Sequence, residues 1–262
     1  MVHSNKPSER LFQPSQVGPL VEPTLRWVRV IFGGQTIADS RNALLLRQYG
    51  PGRLPTYFIP QADVQMKLLA PGTRQDLNGF LRFWNVQAGG RAAENGAWGY
   101  EDPAGELAEL RDHLSFSWRK MDAWYEEEEQ VFVHARDPYK RVDVLASSRH
   151  VRIVIEGQTV AETRRPFVLF ETGLSACYYL PPEDLRMDFL KPSDLETQCP
   201  YKGTAAYWTV HLGDREWPDV VWAYREPIQE ISKIKGLMCF FNERVDTYVD
   251  GVLQERPLTP WS

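Results

Sequence analysis

The sequence is poor in the residues that mark most chemical classes. Three cysteines, Cys177, Cys199 and Cys239, occur in 262 residues. An odd, widely spaced set makes no disulfide framework, and without a C-x-x-C pair it offers no metal knuckle. Reduced thiols, and with them a cytoplasmic location, are the simple expectation. No apolar run approaches the roughly 20 residues that a membrane-spanning helix needs. The opening stretch, MVHSNKPSERLFQPSQVGPLVEP, has no apolar segment of the signal-peptide kind. Lys and Arg form no block and the formal net charge is -5, whereas binding to phosphate backbones needs clustered cations. Nucleic acid and membrane are therefore not the expected partners. His3, His113, His134, His150 and His211 show no ligand spacing, and no Walker loop, G-x-G-x-x-G or G-x-S-x-G run is present. No metal and no cofactor is implied.

What is abundant is aromatic area and internal repetition. Aromatic residues make up 12% of the chain, with nine Trp and eleven Tyr; such side chains suit both cores and ligand pockets, because each large ring of Trp or Tyr carries one polar atom. Residues 28–41, VRVIFGGQTIADSR, return at 151–164 as VRIVIEGQTVAETR. The match continues: Tyr57-Phe58-Ile59-Pro60 with Tyr178-Tyr179-Leu180-Pro181, Asp63 with Asp184, Phe83-Trp84 with Tyr207-Trp208, and Trp98-Gly99-Tyr100 with Trp222-Ala223-Tyr224. At the far end Asp122-Ala123-Trp124 is read against Asp246-Thr247-Tyr248. A self-match of this extent sets the architecture.

Within each copy the signals are mostly β. WVRVIF alternates and runs into Gly33-Gly34, which reads as a hairpin. NALLLRQ, TYFI, FLRFWNV and AYWTVHL are further strands. One short α-helix per copy is expected, at 103–114, where Leu107, Leu110 and Leu114 have helical spacing, and at 227–236, which ends on a Gly suited to a left-handed cap. The run Glu126-Glu127-Glu128-Glu129 reads as a solvated turn. The resulting division is an N-terminal arm at 1–24, a first repeat at 25–133, a connector at 134–150, a second repeat at 151–256 and a tail at 257–262. The connector carries Arg136, Lys140, Arg141, Arg149 and His150; it reads either as a strap packed through Tyr139, Val142 and Val144 or as a cationic wall on a cleft between the repeats.

The copies differ most between Leu190 and Tyr207, where the second is three residues longer than Leu69 to Phe83 of the first. It carries Cys199-Pro200-Tyr201-Lys202-Gly203-Thr204, for which the first copy has no counterpart. Three readings of this loop stay open. It is a tight turn with a structural Lys and a small core Cys. It is a binding loop in which Lys202 supplies a point charge for an anionic group while Tyr201 and Thr204 add hydroxyls. Or it is a nucleophilic centre, acting through Cys199 or through a Schiff base on Lys202, either of which needs a lowered pKa. Asp184 and Asp188 read as surface residues rather than a cation pair.

Gly157-Gln158-Thr159-Val160-Ala161-Glu162-Thr163-Arg164, Tyr178-Tyr179-Leu180-Pro181, the Cys199–Ala205 run with Tyr207-Trp208, and Trp222-Ala223-Tyr224 with Pro227 together resemble the domain-of-unknown-function family four-two-seven, labelled nucleotidyltransferase-like in places. The resemblance covers residues 27–256 as two copies. It implies two tandem β-tent domains placed side by side, each of two antiparallel sheets leaning together; apolar packing between the units is expected to make them a fixed pair. It implies fold more than activity; no Gly-Ser followed by paired acids supports the transferase label. The first copy lacks the Cys-Pro-Tyr-Lys-Gly run and reads as a packing partner.

The expectation is thus a mainly β protein whose second repeat binds a small anionic or aromatic metabolite. Tyr201, Lys202 and Thr204 are the polar contacts, Tyr179, Trp222 and Tyr224 the walls, and Arg164 and Glu171 the supporting residues. The alternatives are an enzyme, a transferase among others, using Lys202 or Cys199, and a scaffold docking through 256–261. Homo-oligomerisation stays open.

Overall fold

The computed structural model describes residues 18–258 apart from 50–52, 75, 77 and 78. The arm before residue 18, with His3, and the tail beyond 258 lie outside the described residues. The described chain divides into two compact units, the first ending at Asp137 and the second beginning at Pro138.

The first unit has strands β1 (Leu20–Pro23), β2 (Val28–Phe32), β3 (Gln35–Ser40), β4 (Leu44–Arg47), β5 (Thr56–Pro60) and β6 (Leu69–Pro71). It continues with β7 (Leu81–Ala88), β8 (Arg91–Tyr100), β9 (His113–Phe116), β10 (Ala123–Glu126) and β11 (Glu129–Val131). They form a seven-stranded sheet, β1-β4-β5-β9-β8-β7-β6, and a four-stranded sheet, β11-β10-β2-β3. The second unit has β12 (Val142–Ala146), β13 (Val151–Ile155), β14 (Gln158–Thr163), β15 (Phe167–Glu171), β16 (Cys177–Leu180) and β17 (Leu190–Cys199). After them come β18 (Gly203–Leu212), β19 (Arg215–Pro227), β20 (Met238–Phe240), β21 (Asp246–Val249) and β22 (Val252–Leu253). Its sheets run β12-β15-β16-β20-β19-β18-β17 and β14-β13-β21-β22. Strand for strand the two orders are the same, so the repeat in sequence is a repeat in topology.

The alternation read from the sequence decides which face each strand buries. Val28, Val30 and Phe32 of β2 point inward between half-buried neighbours; Val151, Ile153 and Ile155 of β13 are buried likewise, with Val154 beside them buried too. In the first unit they meet Tyr57, Ile59, Val86 and Leu114 from the larger sheet. In the second they meet Leu180, Val210, Val221 and Met238. Each unit therefore closes its own core between two sheets. Full burial of one such aliphatic side chain contributes about 1.5–3 kcal/mol. The β2–β3 hairpin turns through Gly33 and Gly34 at φ +58° and +71°, as a two-residue turn of this hand requires.

Four sequence expectations are corrected. The short helices are six-residue 3-10 segments, Gly105–Leu110 and Gln229–Ile234, rather than α-helices. In the first, Leu114 is drawn into β9 opposite Ile59, which ends the helix early; Gly236, at φ +72°, does take the left-handed position after the second. The arm does not run to residue 24: Leu20–Pro23 pairs with β4 as an edge strand. Its copy in the second unit, β12, lies within the stretch read as a connector and pairs with β15. There Val144 is buried but Tyr139 is exposed. The closing hairpin aligns one residue away from the sequence match, since Tyr125 faces Arg29 as Tyr248 faces Arg152. Glu126 is consequently not part of a solvated turn; it is buried against Tyr57 Oη at 2.7 Å and the Arg26 guanidinium.

Candidate functional site

The insertion in the second copy lengthens one strand. Where β6 has three residues, β17 has ten and pairs with β18 as far as Cys199 opposite Gly203. Gly203 sits at φ +100°, and a Cβ there would stand 3.0 Å from the carbonyl oxygen of Glu226. Glycine is needed at this point because a side chain would meet backbone and strain the conformation. The turn is fastened from outside, with Ile228 N–H donating to the Lys202 carbonyl at 3.2 Å. So held, Lys202 projects toward the end of β15 and ion-pairs with Glu171.

A second ammonium reaches the same carboxylate. Lys140 Nζ lies 2.9 Å from Glu171 Oε1 and 5.4 Å from the centre of the Tyr201 ring. The side chains of Lys202, Lys140 and Glu171 are 15%, 18% and 4% exposed, so the trio lies at the rim of the interior and not in bulk solvent. Two cations share one anion, leaving a formal surplus of one positive charge. Burial opposes the charge on Lys202, but Glu171 outweighs it and raises the pKa above the ordinary lysine value. Burial likewise opposes ionisation of Glu171, and Lys202 and Lys140 together hold its carboxyl below the usual range.

Behind the trio lies an aromatic and thiol layer. Tyr179, Tyr207, Tyr224 and Cys239 pack in one cluster, with Cys177 and Trp222 against it. Trp222 Nε1 donates to Tyr179 Oη at 3.1 Å with the rings edge to face. Burial raises the pKa of both Tyr179 and Tyr224, so these hydroxyls are neutral core groups. Cys177 packs against the layer that holds Cys239; their thiols reach the Ser175 and Phe240 carbonyls at 3.8 and 3.7 Å, and the Cys239 side chain, followed by the Lys202 ammonium, lowers the Cys177 pKa against the effect of burial. Cys239 is fully buried, and burial pushes its thiol up.

The structure therefore brings Lys202, Tyr201, Glu171, Tyr179, Trp222 and Tyr224 into one region. Thr204 lies on β18 beside them, opposite Gln198. Cys199 closes the β17–β18 ladder opposite Gly203. Arg164 is not brought there. It follows β14 in the smaller sheet and lines a shallow depression of about 360 Å³ with His150, Glu162, Thr163, Arg165 and Asp184. Asp184 accepts from Thr163 Oγ1 at 2.7 Å and pairs with Arg165, while Asp188 pairs with Arg186, so the two acids are separately engaged. Ser40 Oγ donates to Asp63 at 2.7 Å in the first unit in the same way, which marks this contact as scaffold common to both copies. Among the described residues no group of three or more His, Cys, Asp or Glu is placed to hold a metal ion. No helix among them is long and apolar enough to cross a membrane.

Sequence reasoning placed Lys140 in a cationic connector without joining it to Lys202, and it missed Cys177. Lys140 is separated from Lys202 by six strands in the chain, and nothing in the sequence joined the two. Cys177 had a signal: its copy is Thr56, and the copy of Cys239 is Ser115, as the shared partners Leu46/Leu169 and Trp98/Trp222 establish. A thiol pair stands where the other unit has a hydroxyl pair.

Two all-antiparallel β units of one topology, repeated in tandem, define the class of protein. Residues 20–127 and again 143–251 match the family described as "Domain of unknown function (DUF427)", and the chain belongs to that family. No curated protein matches the chain significantly.

Proposed function

We propose that the second unit is a binding module for a small anionic metabolite, with Lys140 and Lys202 supplying the charge. The observation that carries this reading is the convergence of two ammonium groups on the single carboxylate of Glu171 in a largely water-excluded setting. Glu171 orders both side chains, so little of their rotamer entropy is left to lose when an anion arrives. The surplus charge attracts a carboxylate or phosphate, and at reduced dielectric that attraction is stronger than on an open surface. The buried Tyr201 ring packs beneath Lys140 and helps to position its ammonium. The first unit has Gln48 at the position of Glu171, so only the second carries this arrangement.

A Schiff-base role for Lys202 is the weaker reading, since such a lysine must release its proton near neutrality and Glu171 shifts Lys202 the other way. A thermal-shift screen of organic acids, phosphates and nucleotides, followed by calorimetry on any hit, tests the binding reading. Lys202→Met and Lys140→Met should each weaken a hit at least tenfold. Undiminished binding in both variants overturns the assignment.

A further inference from the structure

Cys177 and Cys239 supply none of the charged groups of the anion site, and the first unit shows what these positions do when they are merely structural. There Thr56 and Ser115 occupy them, with Oγ1 and Oγ 3.1 Å apart and Trp118 Nε1 donating to Thr56 at 3.0 Å. Hydroxyls thus satisfy the packing and hydrogen bonding of this corner. The second unit keeps the geometry and replaces both oxygens by sulfur. The two positions lie diagonally across neighbouring strands: Tyr179 faces Cys239, and Cys177 stands two residues before Tyr179 on the same face of β16. The β16–β20 ladder begins at that pair, so beyond it no ladder bond between these strands resists a closer approach.

We propose that Cys177 and Cys239 are a redox-active dithiol that closes to an intramolecular disulfide on reaction with a peroxide. The roles of the two sulfurs differ. Cys177 is partly exposed at the start of its strand, whereas Cys239 is fully buried in the cluster behind it. The ammonium of Lys202 acts electrostatically on Cys177, with the carboxylates of Glu171 and Glu243 opposing it. A thiolate and not a thiol is the nucleophile toward peroxide, and a neighbouring cation favours it. Cys177 is accordingly the reacting sulfur. Its thiolate attacks one peroxide oxygen; the S–O bond forms, the O–O bond breaks, and the departing hydroxide takes up a proton to become water. Cys239 then attacks the sulfur of the resulting sulfenic acid. The S–S bond forms, the S–O bond breaks, and the second hydroxide leaves as water with the Cys239 proton. Two thiols are oxidised by two electrons and one peroxide is reduced to two waters. Forming the roughly 2.05 Å bond of a disulfide across this diagonal asks for side-chain rotation and an approach of the strand ends. Cys199 is left out, because it sits at the tip of the β17–β18 hairpin and not in this corner.

The test is graded hydrogen peroxide treatment of the full chain. Thiol titration under denaturing conditions should fall from three free thiols to one, and non-reducing peptide mapping should show a Cys177–Cys239 link. Cys199→Ser should retain the link. Cys239→Ser should instead trap a sulfenic acid at Cys177, detected as an adduct with a 1,3-dione. The double variant Cys177→Thr/Cys239→Ser reproduces the pair of the first unit, so it should fold and lose no thiol at the same peroxide exposure. Oxidation of Cys199 before Cys177, a link between two chains, a Lys202–cysteine crosslink, or three surviving thiols where a free small thiol is fully oxidised would each overturn the proposal. Its failure leaves the anion-binding reading untouched, since that is read by calorimetry on the reduced protein.

Discussion

At the scale of single residues, the behaviour of the second unit centres on Glu171. Removing one partner of a buried ion pair leaves an uncompensated charge and costs about 3–5 kcal/mol. Glu171→Gln leaves two ammoniums facing each other and should lower the unfolding free energy by about that amount in urea titrations. The same carboxylate sets an acid limit. Its folded pKa is depressed below its ordinary 4.5, so its contribution is present above that value and is lost as the pH falls through the folded pKa. Melts of the wild type should therefore weaken on acidification below about pH 4.5, and Glu171→Gln should flatten that slope. Lys202 works in the opposite sense. Its pKa is raised, so its contribution persists at neutral pH and disappears only in strong alkali. That the turn carrying Lys202 sets the second copy apart was legible from the sequence, because the other copy lacked it. Glu171 was read as a supporting residue without being assigned to Lys202. That Lys140 shares Glu171 was not legible, since the two meet only when an edge strand is laid beside β15.

At the scale of elements, the hairpin that carries Lys202 depends on one backbone conformation. Gly203→Ala places a Cβ against the Glu226 carbonyl at φ +100° and should destabilise by more than about 1 kcal/mol, measured by chemical denaturation. The loss should also weaken any anion bound at Lys202, because the turn that aims the side chain is altered. The thiol and hydroxyl corners occupy the same place in the two units, each a pair of small side chains on neighbouring strands. Thr56→Cys/Ser115→Cys in the first unit should fold normally and gain two titratable thiols; a large drop in melting temperature would show that the corners are not equivalent. Elements such as β2, β7 and β18 were legible from their alternation. The 3-10 segments were not, because Leu107 and Leu110 keep helical spacing while Leu114 answers to its strand partner. The one-residue shift in the closing hairpin has the same origin. Register across a sheet is decided by cross-strand partners such as Arg29 with Tyr125.

At the scale of the whole molecule, each unit holds its own core between two sheets and has no need of its copy to bury it. Fragments 18–137 and 138–258 should each unfold cooperatively when made alone, as followed by circular dichroism against temperature. A fragment without a sigmoidal transition would show that its core is incomplete. The chain by itself determined that the protein is a β-rich duplication of one family unit. Strand alternation and self-similarity are properties of neighbouring residues and of spacing, and both survive without coordinates. The tertiary structure alone decided which side chains meet: Lys140 and Lys202 on Glu171, Cys177 against Cys239, Arg26 and Tyr57 on a Glu126 that had passed for a surface turn. Such meetings depend on strand order and register, which bring together groups tens of residues apart, and no local pattern in the sequence encodes them.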